Sequence, residues 1–132
     1  MRLLISGLLR QTRNAFVKAV LAQTNPTHVL EIGGGRGGDA ANWVHHKDSE
    51  LIDVVEPDGN AVEEYRRRLL QTFHGVPHKK NVVLPSGKRF RFHTVPVFDL
   101  PPSIAHRGCE LAVMNFSISQ IMNDDTHQVV LT

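Results

Sequence analysis

Between residues 8 and 21 the apolar positions Leu8, Leu9, Phe16, Ala19, Val20 and Leu21 recur at helical spacing, with Arg10, Arg13, Asn14 and Lys18 between them. The pattern predicts an amphipathic helix that stops at Asn25-Pro26. Val29-Leu30-Glu31-Ile32 then reads as a short strand entering a glycine turn, and Asp39 to His46 as a second helix. Leu51 to Val55 predicts a buried strand, and Asn60 to Phe73 a long helix carrying Glu63, Glu64, Arg66, Arg67 and Arg68. Such β-α-β-α alternation implies a mostly parallel sheet with right-handed crossovers and a ligand at the carboxyl ends of its strands. After His74 the pattern loosens. Val82-Val83-Leu84 and the turn Pro85-Ser86-Gly87-Lys88 predict a small hairpin feeding a third strand, Phe90 to Val97. Pro96 suits an edge there, because proline cannot donate a ladder hydrogen bond. Glu110 to Phe116 predicts a fourth buried strand, and the tail from Ser117 another helix.

Composition narrows the class. With 132 residues, 41% hydrophobic and 21% charged, the chain is expected to form one soluble domain around a single core. Its formal charge of +2 is too mild to argue for nucleic acid. A single cysteine, Cys109, excludes an internal disulfide and a multi-cysteine zinc site and reads as a small buried residue. His45-His46 and the other histidines lack metal-ligand spacing, so no metal site is expected. The apolar start, Met1 to Leu9, is broken by Ser6-Gly7, followed at once by Arg10 and Arg13, and lacks a small-residue cleavage site, so it reads as mature structure. No run approaches the ~20 apolar residues of a membrane span. The expected setting is intracellular, cytoplasmic or nuclear, with no membrane partner.

The chemistry concentrates at Glu31-Ile32-Gly33-Gly34-Gly35-Arg36-Gly37-Gly38-Asp39. Gly33, Gly35 and Gly38 satisfy the G-x-G-x-x-G of dinucleotide sites, and equally the turn that receives S-adenosylmethionine. Glycines alone leave both ligands open. S-adenosylmethionine has an ammonium in place of a pyrophosphate, so a carboxylate beside the first glycine, Glu31, favours the methyl donor. Glu56 closes the next strand, where it can accept from both ribose hydroxyls, and Asp99 follows the third, where it can accept from the adenine amino group.

On these residues the chain resembles the messenger-RNA cap guanine-N7 methyltransferases, including those of viral capping enzymes. Glu31 to Asp39 with Trp43 keeps the family's glycine-motif spacing, Asn14-Ala15-Phe16-Val17-Lys18 is similar to its preceding helix, and Asn115-Phe116-Ser117-Ile118-Ser119-Gln120 looks like a divergent form of its later motif. The resemblance covers roughly residues 10 to 122. It implies an α/β, Rossmann-like class I methyltransferase fold, of which residues 1–132 would be the N-terminal, cofactor-binding part, an incomplete fragment of a larger domain or chain. It further implies that Lys18 neutralises the methionine carboxylate, that Glu31, Gly33, Gly35 and Asp39 hold the methionine end, that Glu56 takes the ribose, and that Asp99, Asn115 and Ser117 border the adenine. Each has a bland competitor: Lys18 as a solvated helix residue, Asp39 and Ser117 as helix caps, Trp43 as packing.

The implied function is S-adenosylmethionine-dependent methylation of the cap guanine N7, with capped RNA and other capping-enzyme domains or a partner subunit as partners and host cytoplasm as the setting if viral. N7 already has an in-plane lone pair, so catalysis is expected to rest on positioning without a general base. Arg36 is the candidate for the cap triphosphate, and Ser119-Gln120 would face the cap where the family has His-Tyr. Lys79, Lys80, Lys88, Arg89 and Arg91 form a looser cluster for RNA, or an ordinary solvated loop. The alternatives are a non-catalytic module supporting a capping enzyme, and methylation of another acceptor.

Overall fold

The computed structural model describes residues 2–5, 10–100, 104 and 109–114. Seven strands and three α-helices are described: β1 (Arg2–Ile5), α1 (Arg10–Thr24), β2 (His28–Ile32), α2 (Ala40–His45), β3 (Leu51–Val55), α3 (Gly59–Thr72), β4 (Val76–His78), β5 (Asn81–Val83), β6 (Arg89–His93) and β7 (Leu111–Met114). They make one sheet in the order β1-β7-β2-β3-β6-β5-β4. From β1 to β6 neighbours are parallel, and β5 and β4 are antiparallel additions at one edge. This is the expected α/β, class I methyltransferase-like Rossmann fold, with a mixed sheet. From the edge strand β1 the chain crosses to β2, moves outward through β3 and, past the β4–β5 hairpin, β6, and returns as β7 between β2 and β1. That reversal places a topological switch point at the carboxyl end of β2, where open α/β sheets bind ligands.

Strand alternation sorts the residues onto two faces. Val29, Ile52, Val54, Phe90, Phe92, Leu111 and Val113 pack with Val17 and Leu21 of α1, Trp43 of α2, and Val62, Tyr65 and Leu69 of α3. On the other face Leu30, Ile32, Val55 and Ala112 meet Val95, Leu100, Ile104 and Cys109. Cys109 is half-buried, as a packing residue would be.

Local chemistry sets the element ends. Asn25, at φ 44, closes α1 by donating its backbone N–H to Leu21 O at 2.8 Å. The Asp58 side chain caps α3, accepting from Asn60 N at 2.9 Å and Ala61 N at 3.4 Å. Along that helix Arg66 pairs with Glu63, and Arg67 and Arg68 with Glu64, so the arginine run is a self-paired surface.

Three elements differ from expectation. β1 pairs parallel with β7, a non-local contact that four residues without turn signals do not announce. The expected hairpin forms around Gly87 (φ 90), with Val82 opposite Phe90, but a second one precedes it, β4 turning into β5 over Lys79-Lys80. The third strand stops at His93 and pairs with both β3 and β5, and Val97–Asp99 forms a 3-10 turn, so Pro96 lies past the strand's end and not at a sheet edge. Phe116 and the helix expected from Ser117 fall outside the described residues.

Candidate functional site

β2 delivers the chain into a turn built from left-handed residues: Gly33 has φ 74, Gly35 φ 57 and Gly37 φ 88. Only glycine takes such angles without a Cβ penalty. Gly33 N and Gly34 N donate to Val55 O at 2.8 and 3.3 Å, seating the turn on the end of β3. Beneath, it is tightly packed. A Cβ on Gly34 would stand 2.5 Å from Val54 Cγ1, and one on Gly37 3.0 Å from Tyr65 Cγ. Above, the opposite holds: a Cβ on Gly35 would meet nothing within 4 Å. The turn is therefore closed toward the sheet and open at Gly35.

Glu56, just past β3, joins this turn directly. Its Oε1 accepts from Gly35 N at 2.9 Å and its Oε2 from Asp58 N at 2.9 Å. Each carboxylate oxygen retains a second lone pair for a ligand hydroxyl. Glu31 lies beneath the turn, fully buried, with Oε2 accepting from Trp43 Nε1 at 3.0 Å and Oε1 from the Tyr65 hydroxyl at 2.8 Å. Asp39, 2% exposed, holds the N-cap position of α2 but makes no capping hydrogen bond to that helix. Trp43 is packing, as its bland reading has it.

The other candidates scatter. Lys18 is exposed on α1, Arg36 is exposed within the turn, and Asp99 is exposed in the 3-10 turn after β6. Asn115, Ser117, Ser119 and Gln120 lie outside the described residues. The expected basic cluster does not form one surface. Lys88 is 5% exposed and donates to the carbonyls of Trp43, Val44 and His46 at the end of α2. Burial pushes its ammonium down to about 8. Arg91 is bound to Asp53, which leaves Lys79, Lys80 and Arg89 as the exposed members.

Asp53 is a feature that sequence reading missed. In the middle of β3 and 0% exposed, it accepts from His28 Nε2 at 2.6 Å, His93 Nε2 at 2.8 Å, and both Nε and Nη2 of Arg91 at 2.8 Å. Burial pushes its carboxyl up, but the hydrogen bonds from His28, His93 and Arg91 outweigh that and hold it well below the usual carboxylate range. The signal was there to find: one acid inside Leu51-Ile52-Asp53-Val54-Val55 demands buried partners. Tyr65 was missed too, although its spacing with Ala61, Val62 and Leu69 gives it the buried side of α3.

Comparison with known proteins shows the family. The profile of the spermine/spermidine synthase domain matches residues 16–99. A polyamine aminopropyltransferase of Methanocaldococcus jannaschii is 31% identical over 77 residues, 58% of this chain and 26% of that protein. Polyamine aminopropyltransferase 1 of Pseudomonas aeruginosa is 35% identical over 83 residues, 61% of this chain and 29% of that protein. The chain thus spans between a quarter and three-tenths of the length of these relatives.

These matches correct the assignment to the cap guanine-N7 methyltransferases. With it fall N7 methylation, the methyltransferase activity, mRNA capping, RNA binding, and capped RNA and capping-enzyme domains as partners. The two alternatives, a non-catalytic capping module and a different methyl acceptor, fall with them. The physical reason lies in what the motif touches. Gly37 lies against Tyr65 and Trp43 donates to Glu31, so the residues that carried the resemblance pack the turn and carry no information about an acceptor. The expected cofactor holds in coarser form, as a ligand related to S-adenosylmethionine. Among the described residues no helix is long and apolar enough to cross a membrane.

Proposed function

The chain belongs to the spermine/spermidine synthase family, and from that membership we propose that its glycine turn binds decarboxylated S-adenosylmethionine, whose aminopropyl group the intact protein transfers to a polyamine such as putrescine. The observation that carries this reading is the Gly35 N to Glu56 Oε1 hydrogen bond of 2.9 Å, which sets the open side of the turn beside a carboxylate able to accept ribose hydroxyls. Residues 1–132 are then the donor-binding part of the enzyme, and its setting is the cell interior.

The donor carries a sulfonium and an ammonium but no carboxylate. Around the turn stand Glu31, Asp39, Glu56 and Asp58, all acidic, which suits a doubly cationic ligand. Gly33 and Gly35 present backbone to the sulfonium side, Glu56 takes the ribose, Asp39 faces the ammonium end, and Asp99, Asn115 and Ser117 border the adenine. Lys18 loses the carboxylate it was to neutralise and serves as a solvated helix residue. Arg36 has the wrong sign for a polyamine, and Ser119-Gln120 become neutral candidates on the acceptor side.

In the reaction an amine nitrogen of the acceptor attacks the propyl carbon bound to sulfur. The new C–N bond forms as the C–S bond breaks, 5′-methylthioadenosine leaves as a neutral thioether, and the nitrogen gives up a proton. A polyamine nitrogen is protonated at neutral pH, so a proton must be removed before attack. The expectation of chemistry without a base belonged to guanine N7 and goes with it. The assay is direct: intact protein, decarboxylated S-adenosylmethionine and putrescine, with chromatographic detection of products. Spermidine and 5′-methylthioadenosine should appear in equal amounts. Absence of both with folded, intact protein would remove the proposal.

A further inference from the structure

Glu31 sits at the junction of the three elements that carry the donor loops. It belongs to β2, Trp43 to α2 and Tyr65 to α3, and its two oxygens accept from the other two at 3.0 and 2.8 Å. The loop leading into α2 is the glycine turn, and the loop leading into α3 carries Glu56 and Asp58. One buried carboxylate therefore fixes both loops relative to the sheet. Contact with the turn is close: a Cβ on Gly34 would lie 3.1 Å from Glu31 Oε1 and 3.3 Å from Tyr65 Cε2. The Tyr65 ring and the Glu31 carboxylate form the floor on which the turn rests.

Resting on the donor reading above, we propose that Tyr65 and Trp43 are positioning residues for the aminopropyl donor, acting through Glu31 from beneath the glycine turn. Glu31 then orients the binding loops without touching the ligand, consistent with its being fully buried. The Tyr65 hydroxyl is suited to a permanent donor role. Burial, then the neighbouring Glu31 carboxylate, and then the Asp39 charge push it well above its ordinary value, so it keeps its proton across the neutral range. Its ring stays in place through edge contact with Phe92, centroids 5.1 Å apart, and a tilted contact with Phe90 at 6.1 Å. Removing only the hydroxyl leaves the packing under Gly34 and Gly37 intact and loosens the link to Glu31.

The test uses the intact protein and calorimetry. Decarboxylated S-adenosylmethionine is titrated into wild type, Tyr65→Phe, Glu31→Met and the double variant, following calorimetric heat. Tyr65→Phe should weaken donor binding about tenfold, the size expected for a hydrogen bond to a charged group. Donor KM should rise with acceptor KM and kcat unchanged, which a loss of fold would not produce. In the Glu31→Met background, which has no acceptor oxygen, the same change should add less than about twofold, because the link is already broken. Trp43→Phe, read by calorimetry, should behave like Tyr65→Phe. Wild-type affinity in Tyr65→Phe, or a full tenfold loss persisting in the Glu31→Met background, would overturn the proposal. Parallel titrations with S-adenosylmethionine separate the two claims. If wild type binds only that ligand, the donor assignment fails, and the coupling between Tyr65 and Glu31 still decides the positioning claim.

Discussion

Asp53→Ala is expected to lower the free energy of unfolding by about 2–4 kcal/mol at pH 7, the largest loss foreseen for a single side chain in this protein. Truncation takes the shared acceptor from His28, His93 and Arg91 at once, inside a sheet where Asp53 itself is 0% exposed. Breaking a buried pair by removing one partner usually costs about 3–5 kcal/mol, and the range is set lower here because the Arg91 side chain is 39% exposed and can turn to water. The effect carries a pH signature. The folded carboxyl is held below its unfolded value of about 3.9, so in the acid range the unfolded chain binds more protons. The stabilisation is fully present above the unfolded value and is lost as pH falls through the acid range toward the folded one. Denaturant titrations at pH 7, 5, 4 and 3 should show the gap between wild type and Asp53→Ala closing below about pH 4. A gap that stays constant with pH would mean that the ion cluster contributes nothing beyond its packing.

Glu56→Ala should weaken donor binding about a hundredfold while leaving the sheet folded. Two effects combine. The variant releases Gly35 N and Asp58 N, each now held at 2.9 Å, and it deletes the acceptor proposed for the ribose hydroxyls. Hydrogen bonds to a charged group contribute about 1.5–3 kcal/mol each, so loss of even two gives this magnitude. Glu56 lies past the end of β3 and is only half-buried, so its removal disturbs no core contact. Calorimetry reads the affinity, and a thermal melt without ligand should move by only a few degrees. An affinity within threefold of wild type would place the nucleoside elsewhere.

The sequence was legible where local patterns decide structure. β3 coincides with Leu51–Val55, and α3 starts one residue before the expected Asn60, at Gly59. It was illegible where pairing is non-local. β1 exists through its register with β7, and β4, whose Val76, Pro77 and His78 are all exposed and include a proline, through its pairing with β5. At the site, Gly33, Gly35 and Glu56 came out together because turn geometry and strand ends are written locally. Glu31 was found as the acid beside the turn, but spacing could not show the Trp43 and Tyr65 donors that meet its carboxylate. Lys88 and Arg91 looked like a basic surface for the same reason. Their partners, the carbonyls ending α2 and the Asp53 carboxylate, come from other parts of the chain. The transferred group was beyond reach, because a turn and acid of the proposed role would serve an adenosine whether methyl or aminopropyl leaves the sulfur.

The most direct test of the donor assignment is a calorimetric comparison of decarboxylated S-adenosylmethionine with S-adenosylmethionine itself on the intact protein. With Asp39, Glu56 and Asp58 around the turn, and with Lys18 and Arg36 exposed to water, a ligand carboxylate at the turn meets acids and, among the described residues, no buried cation of the turn itself. The decarboxylated compound should therefore bind at least about tenfold more tightly, a difference of about 1.4 kcal/mol. Equal or tighter binding of S-adenosylmethionine would contradict the aminopropyl assignment.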